Sequence, residues 1–191
     1  MFKRLFRGGA CVAVRSRLYR TVRELVFSAV CLALCLMLPF LTGQVPQIGG
    51  MLCPMHIPVF LAGFLCGPWW AMLVGAAAPS LRYLLFSMPP LLPTGLAMTF
   101  ELAAYGLASG LLHRLLPKRP ASVYAALVGA MVIGRVVWGA ASIAVYAAVG
   151  DVFTWQLFAA GAFFNAIPGM LLHLIVVPTL VLALKKSTLA S

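Results

Sequence analysis

The chain has 191 residues, 63% of them hydrophobic and only 9% charged, with a mean hydropathy of +1.05. An ordinary soluble domain carries roughly 25% charged residues, and one of this size cannot hide so much apolar surface, whereas a helical bundle in lipid has no need to. The net charge of +11 does not indicate nucleic acid, because the basic residues flank apolar segments, as the positive-inside rule expects.

A spanning helix needs about 20 residues, so the composition predicts an all-α integral membrane protein of six transmembrane helices, with no room left for a water-soluble catalytic domain. Residues 1–23 hold Lys3, Arg4, Arg7, Arg15, Arg17, Arg20 and Arg23, half of the chain's basic side chains. This stretch is too basic for the apolar region of a cleaved signal and reads as a cytosolic amphipathic segment on anionic membrane lipid. The membrane domain then covers 24–186, with a short tail at 187–191. The first span is predicted over 24–42, ending at Pro39 and Gly43. A Gly/Pro/Gln-rich loop follows over 44–58, reading QVPQIGGMLCPMHIP.

The second span, 57–67, is short and stops at Gly67-Pro68, with Trp69-Trp70 as interfacial anchors. The third covers 70–87 and is broken by SMPPLLP, since consecutive prolines cannot continue a helix. The fourth covers 94–116 and runs into a basic loop with Arg114, Lys118 and Arg119. The fifth covers 121–149 and turns at Gly150-Asp151; the sixth covers 154–184, with kinks expected at Pro168-Gly169 and Pro178. An even number of spans puts both basic termini and the 114–119 loop in the cytosol. The loops at 43–56, 88–93 and 150–153 fall outside and contain no Lys or Arg. The cysteines Cys11, Cys31, Cys35, Cys53 and Cys66 form no CxxC pair and no metal-ligand spacing with histidine, so neither a disulfide framework nor a metal site is expected.

Ionisable side chains at membrane depth cost several kcal/mol and usually face the bundle interior or a cavity. Arg82, Glu101, Arg135 and Asn165 are placed in this way, mostly in the outer half. Glu101 and Tyr105 are i,i+4 neighbours, and Arg135, Trp138, Ser142 and Tyr146 share one side of the fifth span. Fixed polar groups among aromatics and small residues are the make-up of a small-molecule pocket. The competing structural reading is that Glu101 neutralises Arg82 or Arg135 and only staples helices. One Arg is then left over, and a guanidinium binds a carboxylate bidentately. His56 reads either as a hydrogen-bonded structural residue or as a ligand contact, and Gln44 and Gln47 either as solvated loop or as a cover over a ligand. His173, placed deep in the sixth span, reads as packing. Ala29 and Ala33 form AxxxA, and Gly106 and Gly110 form GxxxG, spacings that let helix backbones approach closely.

Residues 51–112 resemble the membrane substrate-binding subunits (S components) of energy-coupling factor vitamin transporters. The segments PMHIP, SLRYLLFSMPP and FELAAYGLASGLL are similar to the pantothenate-type branch, as are GRVVWGAAS at 134–142 and TWQLFAAGAFFNAIPG at 154–169. The resemblance implies a six-helix subunit of a bacterial cell membrane, with both ends cytosolic. It implies one vitamin bound from outside, and association with a transmembrane T subunit and two cytosolic ATPases. The family's AxxxA docking motif maps onto Ala29 and Ala33. No Walker A sequence is present, so ATP hydrolysis falls to the partners, and no cofactor is expected. The basic N-terminal stretch departs from the family's usual short start, and reads as a lipid-binding element or a misassigned initiation site.

For pantothenate, Arg82 or Arg135 is expected to hold the carboxylate. Glu101, Asn165 and Gln44 take the polar groups, while Trp138 and Tyr105 pack on the carbon chain and His56 contacts the ligand. The ligand alternatives are folate, a cobalamin-like compound or a pyridoxine relative. Two other classes compete with this reading. A solitary channel or carrier would show inverted repeats or a longer chain. An intramembrane enzyme using Glu101 and His173 is disfavoured because the expected spans place these residues in opposite halves.

Overall fold

The structure is a computed structural model describing residues 3–42, 52–117, 119–150, 152, 154–161 and 166–190, with side chains described from residue 18 onward except at 41–42, 185 and 187–190. The described residues form helices and turns without strands. Helix α1 (Lys3–Met37) tightens into a 3-10 turn at Leu38–Thr42. It is followed by α2 (His56–Leu65) and α3 (Pro68–Phe86). A wide turn at Leu91–Gly95 leads into α4 (Leu96–Leu115). Then come α5 (Pro120–Val149), the short α6 (Trp155–Ala159) and α7 (Ile167–Ala190).

The helix ends follow from local chemistry. Pro68 and Pro120 each open a helix, where a missing N–H costs nothing. Gly67, at φ +97°, makes the turn between α2 and α3, and Gly150, at φ +81°, closes α5 in the left-handed conformation that glycine adopts without strain. Thr154 caps α6, its hydroxyl accepting from the Leu157 N–H.

Among the described residues four stretches are long and apolar enough to cross a membrane: Leu18–Phe40, Leu91–Leu115, Pro120–Val149 and Ile167–Leu184. The expected second span is not of that kind. With 10 residues, α2 rises about 15 Å, half the roughly 30 Å of a hydrocarbon core, and eight of its residues are buried. Helix α3 has the length, at 19 residues, but Arg82, Ser80 and two prolines keep it out of the apolar set. Within the sixth expected span the described residues show two helices, α6 and α7. Pro168 sits in the first turn of α7, where proline is tolerated.

Helix α4 is central, packing along α3 and α5 and against α2, while α7 closes over α2 and α5. Close approach between α3 and α4 depends on glycine. A Cβ at Gly106 would run into the Ala71 carbonyl, one at Gly75 into the Leu102 carbonyl, and one at Gly110 would lie 2.6 Å from the Pro68 backbone. The GxxxG pair is therefore a packing face, as expected from its spacing. Helix α1 buries a single stripe, Ser28, Cys31, Cys35 and Pro39, against α2 and α3. Ala29 and Ala33 lie on its exposed side. Arg114 folds over Gly67, so the basic end of α1, the end of α2 and the end of α4 share one side of the bundle. The starts of α2 and α7 lie at the opposite end.

Candidate ligand-binding site

The polar cluster of the bundle is built where α2, α4, α5 and α7 converge. Glu101, in the second turn of α4, is 2% exposed. Its Oε1 accepts from the Tyr105 hydroxyl at 2.8 Å, one helical turn on. From α5, Arg135 Nη1 approaches the same oxygen at 3.0 Å. From the first turn of α2, His56 Nε2 stands 3.7 Å away, within ion-pair range but beyond a good hydrogen bond. Gly134 makes room for this arrangement, because the Tyr105 ring lies where its Cβ would be.

A single backbone carbonyl organises the histidines. Cys53 O faces His56 Nδ1 at 3.1 Å and His173 Nε2 at 3.2 Å. The two imidazoles stack at 5.7 Å between centroids, with Phe60 packed on His173 and Tyr105. A carbonyl only accepts, so what an imidazole offers Cys53 O is a ring N–H. His56 Nε2 and Arg135 Nε are both buried without a hydrogen-bond partner among the described residues. The cluster thus holds two buried nitrogens with unused hydrogen-bonding capacity among the described residues, beside the Glu101–Arg135 ion pair. Among the described residues no group of His, Cys, Asp or Glu side chains converges to hold a metal.

The expected residues divide into three sets. His56, Glu101, Tyr105 and Arg135 come together. Trp138, one turn beyond Arg135, stacks against Phe158 at 6.1 Å and lies against Gly161. Arg82 goes elsewhere: its Nη1 donates to the Leu36 carbonyl at 3.0 Å, and its guanidinium lies 5.7 and 5.5 Å from the ring centres of Phe40 and Phe86. It covers the last turn of α1, where carbonyls lack helical partners. Gln44, Gln47 and Asn165 lie outside the described residues.

His173 corrects the sequence reading. It was expected deep in a long sixth span and far from Glu101, but α7 begins only at Ile167. His173 is therefore in its second turn, stacked on the imidazole that faces Glu101. The distance argument against Glu101 and His173 acting together does not hold. The Pro168-Gly169 pair, read as a helix start and not a kink, was the signal for this placement.

Residues 23–181 match the family model described as "ECF transporter, substrate-specific component". The chain belongs to this family. No curated protein and no solved structure matches it. As an S component it is a multi-pass membrane protein and the binding part of a transporter, not an enzyme. Members of the family work with ECF T and ATPase subunits and a small-molecule substrate.

Proposed function

We propose that this S component captures pantothenate from outside a bacterial plasma membrane and delivers it to an ATP-driven importer. The observation that carries this reading is the pair of buried nitrogens flanking Glu101, His56 Nε2 and Arg135 Nε, that have no hydrogen-bond partner among the described residues. A ligand that carries both donors (hydroxyl, amide N–H) and acceptors (carbonyl, carboxylate) completes both. Pantothenate has two hydroxyls, an amide and one carboxylate. Its hydroxyl or amide end is assigned to His56 Nε2, and its acceptor groups to Arg135. Tyr105 and Trp138 are assigned to the carbon chain, and Gln44 and Asn165, which lie outside the described residues, to the remaining polar groups.

The six helices α1, α2, α3, α4, α5 and the α6–α7 pair are assigned as the S-component bundle with both termini cytosolic. The basic residues of α1 and Arg114 on one end support that orientation. Ala29 and Ala33, exposed on the side of α1 turned away from the bundle, are assigned to the contact with the T subunit. Two cytosolic ATPases supply the energy.

Mass spectrometry of the molecule retained through gentle purification, followed by calorimetric titration, tests the assignment. Pantothenate is expected in the purified protein, and Arg135→Ala is expected to lose it. Retention of folate, a cobalamin-like compound or a pyridoxine relative instead would sink the pantothenate assignment while leaving the S-component role intact.

A further inference from the structure

A polar cavity lies at the opposite end of the bundle from the histidines. It has a volume of about 210 Å³ and is lined by Arg20, Arg23, Glu24, Phe27 and Leu65. Drug-sized ligands occupy roughly 300–1,000 Å³, so this cavity admits only a headgroup-sized piece of a larger molecule. Its place is decisive. The apolar stretch of α1 begins at Leu18, which sets Arg20, Arg23 and Glu24 in its first turns, at the depth of lipid headgroups. Leu18, Tyr19, Val22 and Val26 next to them are exposed, which gives acyl chains an apolar helix face beside the cavity.

The charges also select. Arg23 lies over the Phe27 ring at 5.7 Å, a contact with the ring face that does not use up the N–H donors of its guanidinium. Among the described residues no ion pair joins Glu24 to Arg20 or Arg23. Two guanidiniums and one carboxylate leave one positive charge, which balances the single negative charge of a phosphodiester. A carboxylate at the rim accepts hydrogen bonds from a hydroxylated headgroup and disfavours one that adds further negative charge.

We propose that this cavity is a binding site for the headgroup of a monoanionic, hydroxyl-bearing glycerophospholipid of the phosphatidylglycerol type, with Arg20 and Arg23 on the phosphodiester and Glu24 on the headgroup hydroxyls. The site ties the basic start of α1 to the membrane surface and to the end of α2.

Native mass spectrometry of the full chain in detergent, titrated with dioleoylphosphatidylglycerol or dioleoylphosphatidylcholine, tests this. Phosphatidylglycerol is expected to be retained in preference. Arg20→Gln/Arg23→Gln is expected to bind it about thirtyfold more weakly, at about fivefold per basic residue near a membrane surface. Lys186→Gln, a change to another exposed basic residue of the chain, is expected to leave retention unchanged. Both arginines are exposed, so the double variant should keep the wild-type melting midpoint in lipid-free detergent. Equal retention of the two lipids, equal loss in Lys186→Gln, or full displacement by millimolar inorganic phosphate overturns the proposal. So does a double variant that keeps its lipid but no longer assembles with the T and ATPase subunits, which would make the cavity a protein contact.

Discussion

Glu101 and Arg135 meet across the α4–α5 interface, Oε1 to Nη1 at 3.0 Å, with the carboxylate side chain 3% exposed and the guanidinium side chain 15%. Removing one partner of a buried pair strands the other charge and costs about 3–5 kcal/mol. Glu101→Gln and Arg135→Met are each expected to lower the melting midpoint strongly. The double variant should recover most of that loss, since no lone charge remains buried. Recovery of stability without recovery of ligand binding is the expected outcome. A double variant that binds with wild-type affinity would reduce the pair to a staple between helices.

The two histidines share the Cys53 carbonyl but are not equivalent. His56 aims its second nitrogen at Glu101, whereas His173 contributes a stacked ring and one hydrogen bond. His173→Phe keeps the stacking and leaves Cys53 O its contact with His56, so it should cost about 0.5–1.5 kcal/mol of stability, with affinity changed by a few-fold at most. His56→Phe removes the buried Nε2 that has no partner among the described residues and is expected to weaken ligand binding at least about tenfold, which is 1.4 kcal/mol of binding free energy. Calorimetric titration of both variants ranks them, and the reverse order would move the ligand to the His173 side.

Arg82 tests where a ligand carboxylate goes. Its contacts with Leu36 O, Phe40 and Phe86 all serve the junction of α1 and α3. Arg82→Met is expected to lose about 1–3 kcal/mol through the stranded carbonyl, with ligand affinity unchanged. Arg82→Lys should recover only part of the stability, because an ammonium does not reproduce the planar fork that stacks on aromatic rings. A fall in affinity matching that of Arg135→Met would return Arg82 to the ligand site.

Much of this arrangement was legible in the sequence, and the failures share one cause. Glu101, Tyr105 and Arg135 stood out because ionisable groups in apolar runs have few places to go, and i,i+4 spacing fixes which neighbours meet. The Gly106/Gly110 spacing likewise announced a close helix contact. What periodicity could not supply was the axial register between helices. Reading 154–184 as one span put His173 deep in that span and away from the cluster, while a helix beginning at Ile167 has it in the second turn, stacked on His56. The lateral direction of Arg82 was equally hidden: it depends on α1 ending at Met37 beside α3, a tertiary fact with no local signal. The Cys53 carbonyl that organises both imidazoles is a backbone group, and side-chain identity does not reveal it.

Two glycines provide a contrast that probes packing and backbone conformation separately. At Gly106 an added Cβ meets the Ala71 carbonyl, and neither helix backbone can rotate away as a side chain would. Gly106→Ala should therefore fall at the severe end of overpacking, about 3 kcal/mol or more. It should also disturb binding, because separating α3 from α4 shifts Tyr105 and Glu101 on the same turns of α4. Gly150 has open space within 4 Å of its built Cβ, and its only constraint is φ +81°. Gly150→Ala should cost about 1–2 kcal/mol from the left-handed conformation alone, with ligand affinity intact. Thermal melts and titrations of the two variants decide the point. If Gly150→Ala proves the more damaging, the close α3–α4 contact is not what holds the cluster in place.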